Sequence, residues 1–94
     1  MLAVESGYAG PNSPVITGLS SSNGSVSITF TGGTGTAWYL IYYKMAGGNY
    51  NRCYGNVSRG TTVMRNLFVH GTSYTFKVNY FNSYDSSEAS IVAQ

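Results

Sequence analysis

Few residues in this 94-residue sequence could perform chemistry, and they do not follow the pattern of a catalytic site. His70 is the only histidine, and nothing in its spacing from Asp85 favours a Ser-His-Asp arrangement. Glu5 and Glu88, the other carboxylates, lie on an N-terminal arm and beside a late loop, whereas glycoside hydrolysis needs two carboxyl groups facing across a cleft. Cys53, the only cysteine, forms no internal disulfide, and a reactive thiol needs a nearby cation or helix N-terminus. We therefore expect no catalytic residue.

The sequence also supplies no set of cofactor or metal ligands. One histidine and one cysteine do not make a zinc site, which needs several convergent ligands. The glycine-rich segment 32–36 lacks the lysine of a phosphate-binding loop and precedes a strand instead of a helix. Charged residues are 9% of the chain, and its Lys and Arg residues are too few for strong phosphate binding. We expect no cofactor, no metal and no nucleic-acid partner.

The elements that must position these residues are predicted to be strands. Segment 25–30 alternates strictly and places Val26, Ile28 and Phe30 on one face, which is typical of a half-buried strand. Turn residues separate such segments, and no segment has the spacing of an amphipathic helix. Seven strands at this spacing predict an antiparallel β-sandwich over residues 13–94, preceded by an arm over residues 1–12. The remaining strands are predicted at residues 14–19, 37–44, 50–57, 61–67, 74–81 and 88–93.

The order of these segments carries a family resemblance. Pro14 precedes the first strand, the strand ending at Phe30 alternates, and Gly71-Thr72-Ser73-Tyr74-Thr75-Phe76-Lys77-Val78 opens the sixth. Together with Tyr39-Leu40-Ile41-Tyr42-Tyr43-Lys44 and the turn 46–49 followed by Tyr50, they resemble a fibronectin type III domain, an Ig-like β-sandwich, over about residues 11–94.

The resemblance implies structural roles for three aromatic residues. Phe30 takes the place of the tryptophan usual on the second strand, and Tyr39 faces the core. Tyr74 forms a tyrosine corner, in which its hydroxyl bonds the backbone a few residues upstream. Leu67 departs from the family pattern because it lies seven residues before Tyr74 instead of six. Either Phe68 takes the role of that leucine, or the corner loop is one residue longer.

The third strand presents apolar side chains on both faces. Alternation sends Tyr39, Ile41 and Tyr43 to the core and the residues between them outward. In the family the third and sixth strands are neighbours, so outward residues of both strands share one surface. We expect this surface to be an exposed partner-binding patch, because contiguous apolar patches usually mark contacts. The alternative is that tyrosines merely cover a small sheet, with Trp38 at a loop edge. The expected patch consists of Trp38, Leu40, Tyr42 and Phe81.

The expected function follows from this resemblance. We expect a non-enzymatic structural or binding module that acts through protein–protein contacts, with Leu2, Val4 and Tyr8 of the arm as further partner contacts. The sequence lacks an N-terminal secretion signal and any apolar run of about 18 residues, so we expect no membrane association. Free-standing sandwiches of this kind are familiar in bacteriophage particles, which favours a virion decoration or assembly protein bound to a capsid or tail scaffold or to itself. The alternative is an accessory or adhesion module within a longer secreted bacterial chain.

Overall fold

The chain folds into an all-β structure, as a computed structural model shows. The structure describes residues 13–32, 38–50, 52–80 and 84–94. These stretches contain no helix, and therefore none long and apolar enough to cross a membrane. The strands are β1 (Pro14–Ser22), β2 (Ser25–Gly32), β3 (Tyr39–Met45), β4 (Arg52–Val57), β5 (Gly60–Met64), β6 (Ser73–Tyr80), β7 (Tyr84–Asp85) and β8 (Ala89–Val92).

The strands form two antiparallel sheets. The smaller sheet has the order β1-β2-β5. The larger sheet has the order β4-β3-β6, and both β7 and β8 pair with β6 beyond it. The third and sixth strands are therefore direct neighbours, joined over seven register positions from Tyr39↔Tyr80 to Met45↔Tyr74. The described residues thus form a β-sandwich of two antiparallel sheets.

The structure has eight strands in the stretches that it describes, whereas the sequence predicts seven. The additional strand, β7, lies between the predicted strands 74–81 and 88–93. It is separated from β8 by Ser86, whose hydroxyl accepts a hydrogen bond from the Val78 N–H at 2.8 Å. The Ser86 hydroxyl thus accepts the bond that a backbone carbonyl would accept in a continuous strand. The chain beside β6 is therefore divided into two strands, β7 and β8. The predicted strand 61–67 also ends early, at Met64, and two residues later Asn66 has a φ of 58°, outside the β region.

One core fills the space between the two sheets, and aromatic rings bridge it. The Tyr39 ring lies 5.0 Å from the Phe30 ring and 4.7 Å from the Tyr80 ring, centroid to centroid. Its hydroxyl donates to the Gly32 carbonyl at 2.9 Å, so a polar group inside the sandwich is satisfied. Burial raises the pKa of Tyr39, and the guanidinium of Arg59 offsets part of that rise. The other core side chains with no solvent exposure are Val26, Ile28, Ile41, Met64, Phe76, Val78 and Ala93.

The loop between β5 and β6 is fastened by Tyr74. The Tyr74 hydroxyl accepts a hydrogen bond from the N–H of Val69, five residues upstream, at 2.8 Å. Phe68 is buried, and its ring packs edge-on against the Tyr74 ring at a centroid distance of 4.9 Å. Leu67 is 43% exposed. Of the two arrangements that the sequence leaves open, the structure therefore has Phe68 in the place of the buried leucine.

Replacing Tyr74 by Phe tests the contribution of this bond. Tyr74→Phe should lower the free energy of unfolding by about 1 kcal/mol, the net value of one hydrogen bond. Urea denaturation followed by fluorescence measures this change. Tyr54→Phe is the matched control, because Tyr54 packs against the same core and its hydroxyl forms no hydrogen bond with the residues that the structure describes. Equal unfolding midpoints for the Tyr74 variant and the wild type would show that the bond contributes nothing.

Candidate functional site

The polar residues considered for catalysis do not form one catalytic group. His70 is exposed in the loop between β5 and β6. Asp85 on β7 and Glu88 just before β8 each bind a partner on the larger sheet. Among the residues that the structure describes, no three His, Cys, Asp or Glu side chains are grouped as metal ligands. Glu5 lies outside the described residues.

Asp85 belongs to a polar network that joins β6 and β7. Asn79, which is fully buried, donates through Nδ2 to Oδ1 of Asp85 at 2.7 Å. The two residues face each other directly in the strand register. The second carboxylate oxygen lies 3.6 Å from Nζ of Lys77. Both oxygens of Asp85 therefore serve to hold the short strand β7 against β6.

The outer face of the larger sheet is covered by Tyr50, which lies in the connection between β3 and β4. Its ring packs with Tyr42, and both residues are 5% exposed. Nζ of Lys44 and Nζ of Lys77 each lie 4.7 Å from the centroid of the Tyr50 ring. The Tyr50 hydroxyl donates to Oε2 of Glu88 at 2.8 Å. Two cation–π contacts and a charge-assisted hydrogen bond thus hold one ring over the sheet. We call Tyr50 with these four neighbours the Tyr50 cover.

The Tyr50 cover corrects the solvent exposure expected of the predicted contact patch. Tyr42 is buried instead of exposed, and Leu40 is half-buried against the pair formed by Tyr42 and Tyr50. The prediction assumed that the outer face of the larger sheet is exposed to solvent. Strand alternation does not show whether the connection between β3 and β4 folds over that face. The available signal was Tyr50 itself, an aromatic residue that directly follows the turn 46–49. For Leu40 and Tyr42, the alternative of side chains that cover a small sheet describes the structure.

Trp38 is the exposed member among the patch residues that the structure describes. It is 62% exposed and lies directly before β3, which begins at Tyr39, two residues later than the predicted start at residue 37. Its φ of 74° falls in the left-handed region, which bulky side chains rarely adopt. Such a conformation costs on the order of 1–3 kcal/mol and persists only where the surroundings impose it. The other predicted partner contacts, Phe81 and the arm residues Leu2, Val4 and Tyr8, lie outside the described residues.

Cys53 lies opposite Tyr42 in the register between β3 and β4. The residue is accessible at the surface, but partial burial of its sulfur raises the pKa of the thiol, and the hydrogen bond with Tyr42 offsets part of that rise. Burial likewise raises the pKa of Tyr42, and Cys53 and Asp85 add to this effect. The thiol is therefore less ionised at neutral pH than that of a free cysteine, which is the opposite of what a nucleophile needs.

Comparison with known proteins adds no relative to this description. No protein-family model matches the sequence, and a search of curated proteins finds no significant match. The fold defines the class as an all-β sandwich.

Truncation of Tyr50 tests the energetic role of the Tyr50 cover. Tyr50→Ala removes a ring that buries Tyr42 and two cation–π contacts, so it should lower the free energy of unfolding by about 2–4 kcal/mol. Tyr50→Phe is the matched control, which keeps the ring and removes the hydroxyl that bonds Glu88, at a cost of about 0.5–1.5 kcal/mol. Chemical denaturation measures both. Equal losses for the two variants would show that the ring itself stabilises nothing.

Alkylation of Cys53 tests the raised thiol pKa. Iodoacetamide should modify Cys53 in the folded protein more slowly than in the urea-unfolded protein at pH 8, because less thiolate is present. The rate in the folded protein should rise further toward alkaline pH than the rate in the unfolded protein, since the folded thiol titrates later. Tyr42→Phe should slow the reaction further, because the hydrogen bond with Tyr42 lowers the thiol pKa. Faster alkylation in the folded state would contradict this assignment.

Proposed function

We propose that this chain is a non-enzymatic binding module of the fibronectin type III or Ig-like kind that acts through protein–protein contacts. Two features of the sandwich support the finer classification. The third and sixth strands are neighbours in one sheet, as the family resemblance implies. The hydroxyl of Tyr74 bonds the backbone five residues upstream, which is the geometry of a tyrosine corner.

The exposed Trp38 is the observation that carries the proposal of a binding role. Tryptophan is among the residues most enriched at the energetic centres of protein interfaces, where its large ring fills a pocket of the partner. Here the ring is 62% exposed on a backbone of positive φ. Neither feature benefits the isolated domain, because exposure gains no burial energy and the backbone conformation costs stability. Burial of the ring against a partner would supply the missing burial energy and offset the cost of the backbone conformation.

The proposed setting is a virion, in which the module decorates a capsid or tail or takes part in its assembly. The charge-poor composition supports a mainly apolar and hydrogen-bonded contact, because charged residues are 9% of the chain. The genomic neighbourhood distinguishes this setting from the extracellular alternative. Adjacent capsid or tail genes would support the virion proposal. A catalytic domain or adhesin in the same reading frame would instead assign the module to a secreted bacterial protein.

Substitution of Trp38 by glycine separates binding from folding. Trp38→Gly should leave the free energy of unfolding unchanged or raise it by up to about 1 kcal/mol, because glycine adopts a positive φ without strain. The variant should at the same time lose co-purification with the capsid or tail protein encoded beside it. Val69→Ala is the matched control, since Val69 is 65% exposed in the loop between β5 and β6. Unchanged co-purification of the Trp38 variant would place the contact elsewhere.

A further inference from the structure

The free edges of the two sheets differ in how well they are protected. An unpaired edge offers backbone N–H and C=O groups to any extended chain, and proteins block it with proline, bulges, charges or short strands. β1 begins with Pro14, and its register shifts between Ile16 and Gly18. β4 has its own register shift against β3 and includes Asn56 at a φ of 58°. The edge beside β6 is interrupted between β7 and β8 at residues 86–88.

The edge of β5 is less protected, since its only backbone irregularity is the φ of 115° at its first residue, Gly60. Its five residues pair with β2 in consecutive register from Val26↔Met64 to Phe30↔Gly60, without a shift. The strand contains no proline and no charged residue. Within the four described stretches, β2 is its only partner strand. Alternate residues of such a strand direct N–H and C=O groups away from the sheet, so β5 accepts an added strand most readily.

Two arginines define what kind of strand this edge fits. Arg59 directly precedes β5 and Arg65 directly follows it, and both are exposed. In the part of the chain that the structure describes, neither forms an ion pair. If a second copy paired antiparallel through β5 about Thr62, Arg59 of each copy would lie opposite Arg65 of the other. Like charges in that position destabilise a strand pair, so the edge disfavours a copy of itself and complements a strand with acidic ends.

We infer that β5 binds an extended segment of another protein, which adds to the smaller sheet as an antiparallel strand and carries two acidic residues six positions apart. The spacing follows from Arg59 and Arg65, because opposed antiparallel strands advance residue for residue. Backbone hydrogen bonds would supply affinity, and the two charge pairs would fix the register. Between its two acidic residues, the bound strand would carry small hydroxyl or β-branched side chains, because these positions lie beside the exposed Thr61 and Val63.

β5 belongs to the smaller sheet, whereas Trp38 directly precedes β3 of the larger sheet. The inference therefore goes beyond the proposed function and is tested separately. The probe is the end-blocked peptide Glu-Thr-Ser-Val-Thr-Thr-Glu, titrated into isotope-labelled protein and followed by NMR. We expect saturable shifts at β5 and its flanking residues and slower hydrogen exchange of outward β5 amides. A peptide with lysine at both ends should bind at least about fivefold more weakly, because both charge pairs become repulsive.

Two controls distinguish strand addition from simple charge attraction. A peptide with the same acidic ends and a central proline lacks an N–H for the pairing, so it should not protect the β5 amides. The double variant Arg59→Glu/Arg65→Glu should reverse the preference and bind the lysine peptide more tightly than the acidic one. Both substitutions are on exposed residues, so the variant should fold. The comparison of the peptides on the wild-type protein does not depend on the variant.

Three outcomes would overturn the inference. Equal protection by the proline peptide would mean that charge alone attracts the probe. Shifts confined to a different strand would place the binding edge elsewhere. The absence of saturable shifts with the acidic peptide at millimolar concentration would show that β5 accepts no such strand. None of these outcomes bears on Trp38, whose co-purification test uses a different surface.

Discussion

The burial of β3 on both faces is the constraint on which the rest of the structure depends. Tyr39, Ile41 and Tyr43 enter the core between the sheets, while Tyr42 is buried on the opposite face beneath Tyr50. A strand in a two-layer antiparallel sandwich ordinarily has one face in water. Covering the second face requires a connection that stays in place, and the contacts that fix Tyr50 provide it. The larger sheet therefore has a small second core on its outer side.

The few charges of this chain are divided unevenly between the two sheets. Lys44, Lys77, Asp85 and Glu88 all lie at or beside the Tyr50 cover, where two cations and two anions offset one another. Arg59 and Arg65 flank the smaller sheet at β5. The charges around the Tyr50 ring thus offset one another, and the edge of the smaller sheet carries positive charge. Attraction of acidic partners is consequently expected at that edge and not at the cover.

The sequence predicted those parts of the structure that a period of two encodes. Alternation in β2 and β6 identifies the inward side chains, such as Ile28 and Phe76, because every second residue shares a face. Contacts made by connections have no such period. The fold of Tyr50 over the sheet and the Ser86 hydroxyl that divides the last edge depend on loop geometry, which spacing does not specify. For the same reason the outward position of Trp38 was predictable, whereas its positive φ was not.

The pairing of β3 with β6 also governs how the chain reaches this structure. The partners lie about 30 to 40 residues apart, whereas the β1–β2 hairpin closes locally through Asn23 and Gly24, both at positive φ. During synthesis β3 emerges before β6, and at about 5–20 residues per second the interval lasts on the order of seconds. Throughout it the aromatic side chains of both faces of β3 lack their partner strand. A chaperone that binds extended aromatic segments would therefore bind β3 in the nascent chain but not in the folded sandwich.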